Sequence, residues 1–297
     1  MRTLRLVVQY DGTGLYGFQR QKDPSRPTVQ GLLEAALAGV LGEPTAATAA
    51  GRTDAGVHAT GQVVHVRTAH TIPAQRLAAA LNHRLPPSVR VVQAEEAPAG
   101  FHARRDATSR VYCYHLFLHR YPSAMLERFA WRIERPVDLG LMQALADQLP
   151  GRRRWDLFGS PLGAGQSPVR TLFGCRVDTM ELGPGRGRLV RVCFEADAYL
   201  YRMVRRLIGA LVQVGTGELL PAAVLGALAW ADRGATGEQP GPPPKGWSPA
   251  RAPAAPAAGL TLVHVNYAPA PCGWGCCGGI LDTLLGVWLE WPRGCAR

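Results

Sequence analysis

Lysine is almost missing from this chain: of 33 basic residues only Lys22 and Lys245 are lysines, and the rest are arginines. Long apolar runs are missing too. No stretch of about 18 uninterrupted apolar residues occurs, which excludes a membrane-spanning helix. The opening stretch MRTLRLVVQYDG meets polar residues too early to hold the apolar segment of a secretory leader, so the sequence predicts a cytoplasmic protein. The seven cysteines, Cys113, Cys175, Cys193, Cys272, Cys276, Cys277 and Cys295, contain no CxxC pair. An odd number without a leader argues against a disulfide framework. The last four crowd the C-terminal end with no histidine beside them, a poor set for zinc.

With 297 residues, of which 47% are hydrophobic, the chain can fill two domains or one large α/β unit. Its net charge is +11. An arginine-rich surface of that sign favours a polyanionic partner, because guanidinium groups grip phosphates in a bidentate fork or stack on bases. A GC-rich genome accounts for arginine over lysine, but not for the excess of positive over negative charge. The balance points to nucleic acid.

Leu4, Leu6, Val8 and Tyr10 alternate with Arg5, Val7 and Gln9, so Thr3 to Tyr10 reads as a strand ended by the glycines of DGTG. Val29, Leu32, Leu33, Ala36, Leu37, Val40 and Leu41 recur at helical spacing behind a capping Thr28. A glycine-containing loop, GRTDAGVHA, runs into a strand from Gln62 to Arg67. A second helix from Pro73 to Leu85 stops at LPPS, and VRVVQAEE makes the next strand. From residue 106 the pattern restarts with a strand from Arg110 to His119 and a helix capped by Asp138 and running through Leu149. A hairpin about GPGRGR, helices from Arg202 to Val214 and from Ala222 to Asp232, and a strand from Leu260 to Tyr267 complete it. These segments predict an α/β (α+β) chain of two similar halves around a mixed, largely antiparallel sheet. The expected division is 1–105, 106–268 and a Cys/Trp-rich tail at 269–297 outside the main fold. The Gly-, Pro- and Ala-rich stretch at 234–259 reads as a mobile loop within the second half.

Asp54 heads the residues able to carry chemistry. A carboxylate in such a loop serves as nucleophile, general base or metal ligand, or it only holds a turn. His58 raises an acid/base or metal pairing with it, but no third ligand lies nearby in the sequence. Arg52 is a phosphate or base contact, or a solvated surface arginine. Tyr112, on its strand, is a core aromatic by default. Arg205 shares a helix with the apolar stripe Met203, Leu207 and Leu211, which assigns it to the wet side. Taken singly, each has an ordinary structural explanation.

Together the segments say more. YDGTGLYGFQRQ, TVQGLLEAAL, GRTDAGVHATGQVVHV, LNHRLP, FHARRDATSRVYCYHLF, YRMVRRLIGALVQVG and AAPAAGLTLVHVNY, in that order, closely resemble the TruA family of tRNA pseudouridine synthases over about Leu4 to Tyr267. The resemblance implies the pseudouridine synthase fold with a central basic cleft, a homodimer, and isomerisation of uridines in the anticodon stem-loop of tRNA, with no cofactor, no metal and no membrane. It implies Asp54 as the catalytic aspartate, Tyr112 packing on the target base, and Arg205 pairing with Asp54. Arg52 would help displace the base, and Leu260 would line the pocket. Two segments depart from the family pattern: Phe18 stands where tryptophan is common, and RRRWDLFGS replaces an HDF-containing stretch. A non-catalytic RNA-binding protein and a nucleic-acid glycosylase are the competing readings; the combined presence of Asp54, Tyr112 and Arg205 argues against the first, and the GRTDAGVHA motif against the second.

Overall fold

The computed structural model describes residues 1–161, 163, 165–235, 241–244, 247 and 252–267. The Cys/Trp-rich tail and its four cysteines lie outside the described residues. In chain order the elements are β1 (Arg2–Tyr10), α1 (Val29–Leu41), β2 (Thr48–Ala49), β3 (His58–Thr68), α2 (Ala74–Arg84) and β4 (Val89–Ala97). Then come β5 (Ser109–Leu118), β6 (Trp131–Ile133), α3 (Leu139–Ala146), β7 (Gly151–Arg154), β8 (Val169–Glu181), β9 (Arg188–Ala196), α4 (Met203–Gly215), α5 (Pro221–Ala235) and β10 (Leu260–Asn266). Among the described residues no helix is long and apolar enough to cross a membrane. Two compact units form, one of Met1–Arg110 with the chain from Thr261, the other of Val111–Leu260.

In the first unit the strands run β4-β1-β3-β10, with β2 on β3. The alternation read in β1 sends Leu4, Leu6 and Val8 into the core with no exposed surface. Each such side chain contributes on the order of 1.5–3 kcal/mol by leaving water. β1 pairs antiparallel with β3, Leu4 opposite Val66 and Leu6 opposite Val64, and the same register sets Val8 opposite Gln62. Thr28 caps α1 as its sequence position predicts, its side chain accepting from the Gly31 amide. α1 packs against α2, and α2 packs against β4. β10 lies parallel to β3, Thr261 opposite His58 and Leu262 opposite Ala59. The last strand thus belongs with the first unit, whereas the division at 106–268 groups it with the second half.

In the second unit β5, β9, β8 and β7 are neighbours in that order, with β6 parallel to β5. β8 and β9 form the expected hairpin, Val177 opposite Val192. Asp138 caps α3 by accepting from the Leu141 amide, but the helix ends at Ala146, short of Leu149. Cys113 on β5 and Cys193 on β9 form a disulfide across a Cα separation of 4.1 Å. That corrects the expectation of unpaired cysteines: the two sit on adjacent strands, a proximity that their spacing of 80 residues does not announce. The described part of the Pro-rich stretch also departs from a mobile loop. Ala252 and Ala255 are buried, Trp247 packs on Phe158 with ring centroids 4.9 Å apart, and the Ala255 amide donates to the Arg205 carbonyl at 2.9 Å. Small side chains let this segment lie directly on α4, where Gly209 has no Cβ to oppose the Pro253 carbonyl.

Candidate active site

Asp54 lies in the loop between β2 and β3, and several residues of that loop are tied to other parts of the first unit. The Ala50 amide donates to the Val63 carbonyl at 2.8 Å. Arg110, itself buried, donates to the Ala50 carbonyl at 3.1 Å and to the Arg104 carbonyl at 2.7 Å. The Gln62 amide nitrogen donates to the Gly51 carbonyl at 2.7 Å. Thr53 accepts from the Phe18 amide at 3.1 Å through its carbonyl, and its hydroxyl lies 2.8 Å from the Tyr10 hydroxyl. A turn closes from the Val57 amide to the Asp54 carbonyl at 3.1 Å, with Gly56 at φ 79°. The result is a loop fixed at Ala50, Gly51, Thr53 and Val57, with Asp54 half-buried and Arg52 exposed between them.

The YDGTGLYGF segment forms the floor of this loop, and its glycines are there for close approach. A Cβ on Gly17, at φ 87°, would stand 2.7 Å from the Thr53 carbonyl oxygen. On Gly12 it would overlap the Val57 carbonyl. His58 is fully buried, its Nδ1 accepting from the Gly12 amide at 3.0 Å with the Asp11 carboxylate 3.3 Å away. This histidine braces the loop against its floor. Among the described residues no group of three or more His, Cys, Asp or Glu gathers as a metal site.

The remaining sequence-predicted residues belong to the second unit. Tyr112, on β5, is 7% exposed and meets the Tyr199 ring edge-on, centroids 5.1 Å apart. Arg205, on the first turn of α4, is half-exposed, and its Nε donates to the Ala255 carbonyl at 2.6 Å. The Tyr114 hydroxyl donates to the Pro256 carbonyl at 2.8 Å, and its ring lies 2.5 Å from where a Cβ on Gly259 would stand. Burial pushes the Tyr114 phenol far above its ordinary range, against a smaller opposing pull from Arg205. Leu260 is buried at the start of β10. Arg52 and Asp54 therefore share one loop of the first unit, while Tyr112 on β5, Arg205 on α4 and Leu260, the last residue before the chain returns to the first unit, belong to the second.

Sequence reasoning passed over Tyr10, Gln62 and Arg110. Their signal was a polar or charged group at an inward position of an otherwise apolar strand: Gln62 shares its face of β3 with Val64 and Val66. A buried amide or guanidinium there needs partners, and the loop supplies them.

The sequence pattern of the family described as tRNA pseudouridine synthase matches residues 6–106 and 145–268. A protein of Brevibacillus brevis named tRNA pseudouridine synthase A is 38% identical over 267 residues, covering 90% of this chain and 100% of its own. Its namesake in Caulobacter vibrioides is 38% identical over 268 residues, covering 90% and 99%. The one in Neisseria gonorrhoeae is 41% identical over 215 residues, covering 72% and 78%. Matched by the family pattern through both the Asp54 loop and the α4 segment, and aligned with these relatives over most of its length, the chain belongs to the tRNA pseudouridine synthase family.

Proposed function

We propose that this enzyme isomerises uridine to pseudouridine in the anticodon stem-loop of tRNA, with Asp54 as the catalytic carboxylate. Family membership carries the isomerisation of tRNA uridine; the stem-loop and the residue roles rest on the resemblance of the segments that hold them. The observation that favours Asp54 is the bracing of its loop, in which the Gly51, Thr53 and Asp54 carbonyls each accept a hydrogen bond. Catalytic groups need such support, because a misplacement of about 1 Å can cost on the order of 10²-fold in rate.

The reaction breaks the N1 to C1′ bond, turns the uracil, and joins C5 to C1′; the C5 proton leaves and N1 gains one, so no atom is gained or lost. Asp54 attacks a carbon to form a transient covalent bond, or removes a ribose proton to give an unsaturated sugar, and it must be ionised in either route. On this reading Arg205 pairs with it and favours the ionised form. Tyr112 packs on the base, Arg52 helps displace it from the stem, and Leu260 lines the pocket. Unstacking a base costs a few kcal/mol, which stacking on an aromatic ring partly offsets. The rearrangement is internal and redox-neutral, so the reading calls for no cofactor and no metal. The net charge of +11 suits tRNA held in basic clefts of a homodimer in the cytoplasm.

Incubation with unmodified tRNA followed by chemical labelling of pseudouridine tests the proposal. The wild type should form product and Asp54→Ala should bind tRNA without forming it. Product at near wild-type rate from Asp54→Ala would refute the assignment. Release of free uracil would identify a glycosylase, and binding without product by the wild type would identify an RNA-binding module.

A further inference from the structure

Two buried side chains with no part in the chemistry above reach the loop from beneath. Tyr10 ends β1 at 3% exposure, and Gln62 is fully buried in β3. The Gln62 amide oxygen accepts from the Gly51 amide at 3.4 Å, and its nitrogen donates to the Gly51 carbonyl at 2.7 Å and to the Tyr10 hydroxyl at 3.3 Å. Burial pushes the Tyr10 phenol up to about 12, so it keeps its proton at any working pH. The same hydroxyl, which accepts from Gln62, is also hydrogen-bonded to the Thr53 hydroxyl, 2.8 Å away. Gly51 and Thr53 are the two neighbours of Arg52, and Asp54 follows at the next peptide.

We infer that Tyr10 and Gln62 form a clamp that positions Arg52 and Asp54 together, acting on the rate of isomerisation and not on the grip on RNA. The inference rests on the reading of Asp54 as the catalytic carboxylate. Packing alone does not call for this pair. Valines occupy the neighbouring inward positions of β3, and an apolar side chain at 62 would avoid the desolvation of a buried amide. The amide holds both backbone groups of Gly51, which an apolar residue cannot do. The clamp also explains why β1 ends in tyrosine: a phenylalanine would fill the same space but make no hydrogen bond to the Thr53 hydroxyl.

Tyr10→Phe, Gln62→Met, the double variant and Thr53→Val test the clamp, each measured for kcat, for tRNA affinity and for melting temperature. Tyr10→Phe and Thr53→Val should each lower kcat about 10-fold and Gln62→Met between about 10- and 100-fold, with the dissociation constant for tRNA within about 2-fold of wild type. Because the two residues act on one loop, the double variant should be slower than wild type by less than the product of the single effects. Unchanged kcat in Tyr10→Phe and Gln62→Met, with Asp54→Ala inactive, would overturn the clamp and leave the catalytic assignment standing. Losses of affinity as large as those of kcat would also overturn it. An active Asp54→Ala would instead remove the catalytic reading. Should Gln62→Met fail to fold, Tyr10→Phe, which deletes one oxygen from a retained ring, still decides the matter.

Discussion

Gly209→Ala sets two opposing effects against each other on α4. Alanine in a helix interior is favoured over glycine by about 1 kcal/mol, so helix propensity alone forecasts a more stable protein. Packing forecasts the reverse. A Cβ at this position would overlap the Pro253 carbonyl oxygen, and that oxygen belongs to backbone that cannot rotate aside. The segment would have to lift from the helix, although the Ala255 amide donates to the Arg205 carbonyl at 2.9 Å and Arg205 Nε donates to the Ala255 carbonyl at 2.6 Å. Losing the charged bond costs about 1.5–3 kcal/mol and the neutral one about 1 kcal/mol. After the helix gain is subtracted, a net destabilisation of about 2 kcal/mol remains. Urea unfolding of the two proteins measures it directly, and kcat/KM should fall as well, since Arg205 loses the carbonyl that orients it. A variant more stable than wild type would refute the reasoning, because it would mean that residues 252–256 are not held against α4.

Three further perturbations give distinct readouts. Gly17→Ala forces a side chain into φ 87° and within 2.7 Å of the Thr53 carbonyl oxygen, a strain of about 1–3 kcal/mol that should depress both melting temperature and kcat; wild-type values for both would contradict the described floor of the loop. Reducing the Cys113–Cys193 bond, which spans 80 residues of sequence, should lower stability by about 4.5 kcal/mol in the chain-entropy account, and coincident melts of oxidised and reduced protein would rule the crosslink out. The Tyr10 phenol, raised from 10.0 to about 12, is protonated in the folded chain when the unfolded chain has lost that proton. Its contribution is complete below pH 10 and drains away as pH rises towards 12, at about 1.4 kcal/mol per pH unit. Tyr10→Phe should remove about one proton from the alkaline slope of stability, and an unaltered slope would show that the phenol is not buried as described.

The elements whose signals are local were legible in the sequence. Thr28 and Asp138 marked helix starts through their own side chains, GPGRGR marked the hairpin, and the alternation in β1 identified its inward face. What escaped depends on partners distant in the chain. Nothing about the strand Leu260–Asn266 says that its neighbour is β3, and nothing about Cys113 says that β9 brings Cys193 beside it. Composition misled at residues 252–259, where proline and alanine suggested slack; the same small side chains allow contact with α4 that larger ones would prevent. The loop carrying Arg52 and Asp54 stood out because its motif is contiguous. Tyr10 and Gln62 did not, because their meeting depends on the antiparallel register that pairs β1 with β3.

The return of the chain to the first unit at Thr261 governs the order in which a ribosome can finish the protein. Domains usually fold as they emerge, N-terminal one first. Here the unit bearing Asp54 emerges early yet lacks a strand of its sheet until β10 is made, and β3 meanwhile has an unfilled position beside His58 and Ala59. The second unit, Val111–Leu260, is by contrast continuous in sequence and is complete before the first can be. A nascent chain stalled after α5 would hold every residue of the GRTDAGVHA loop and still lack the strand that completes the sheet behind it.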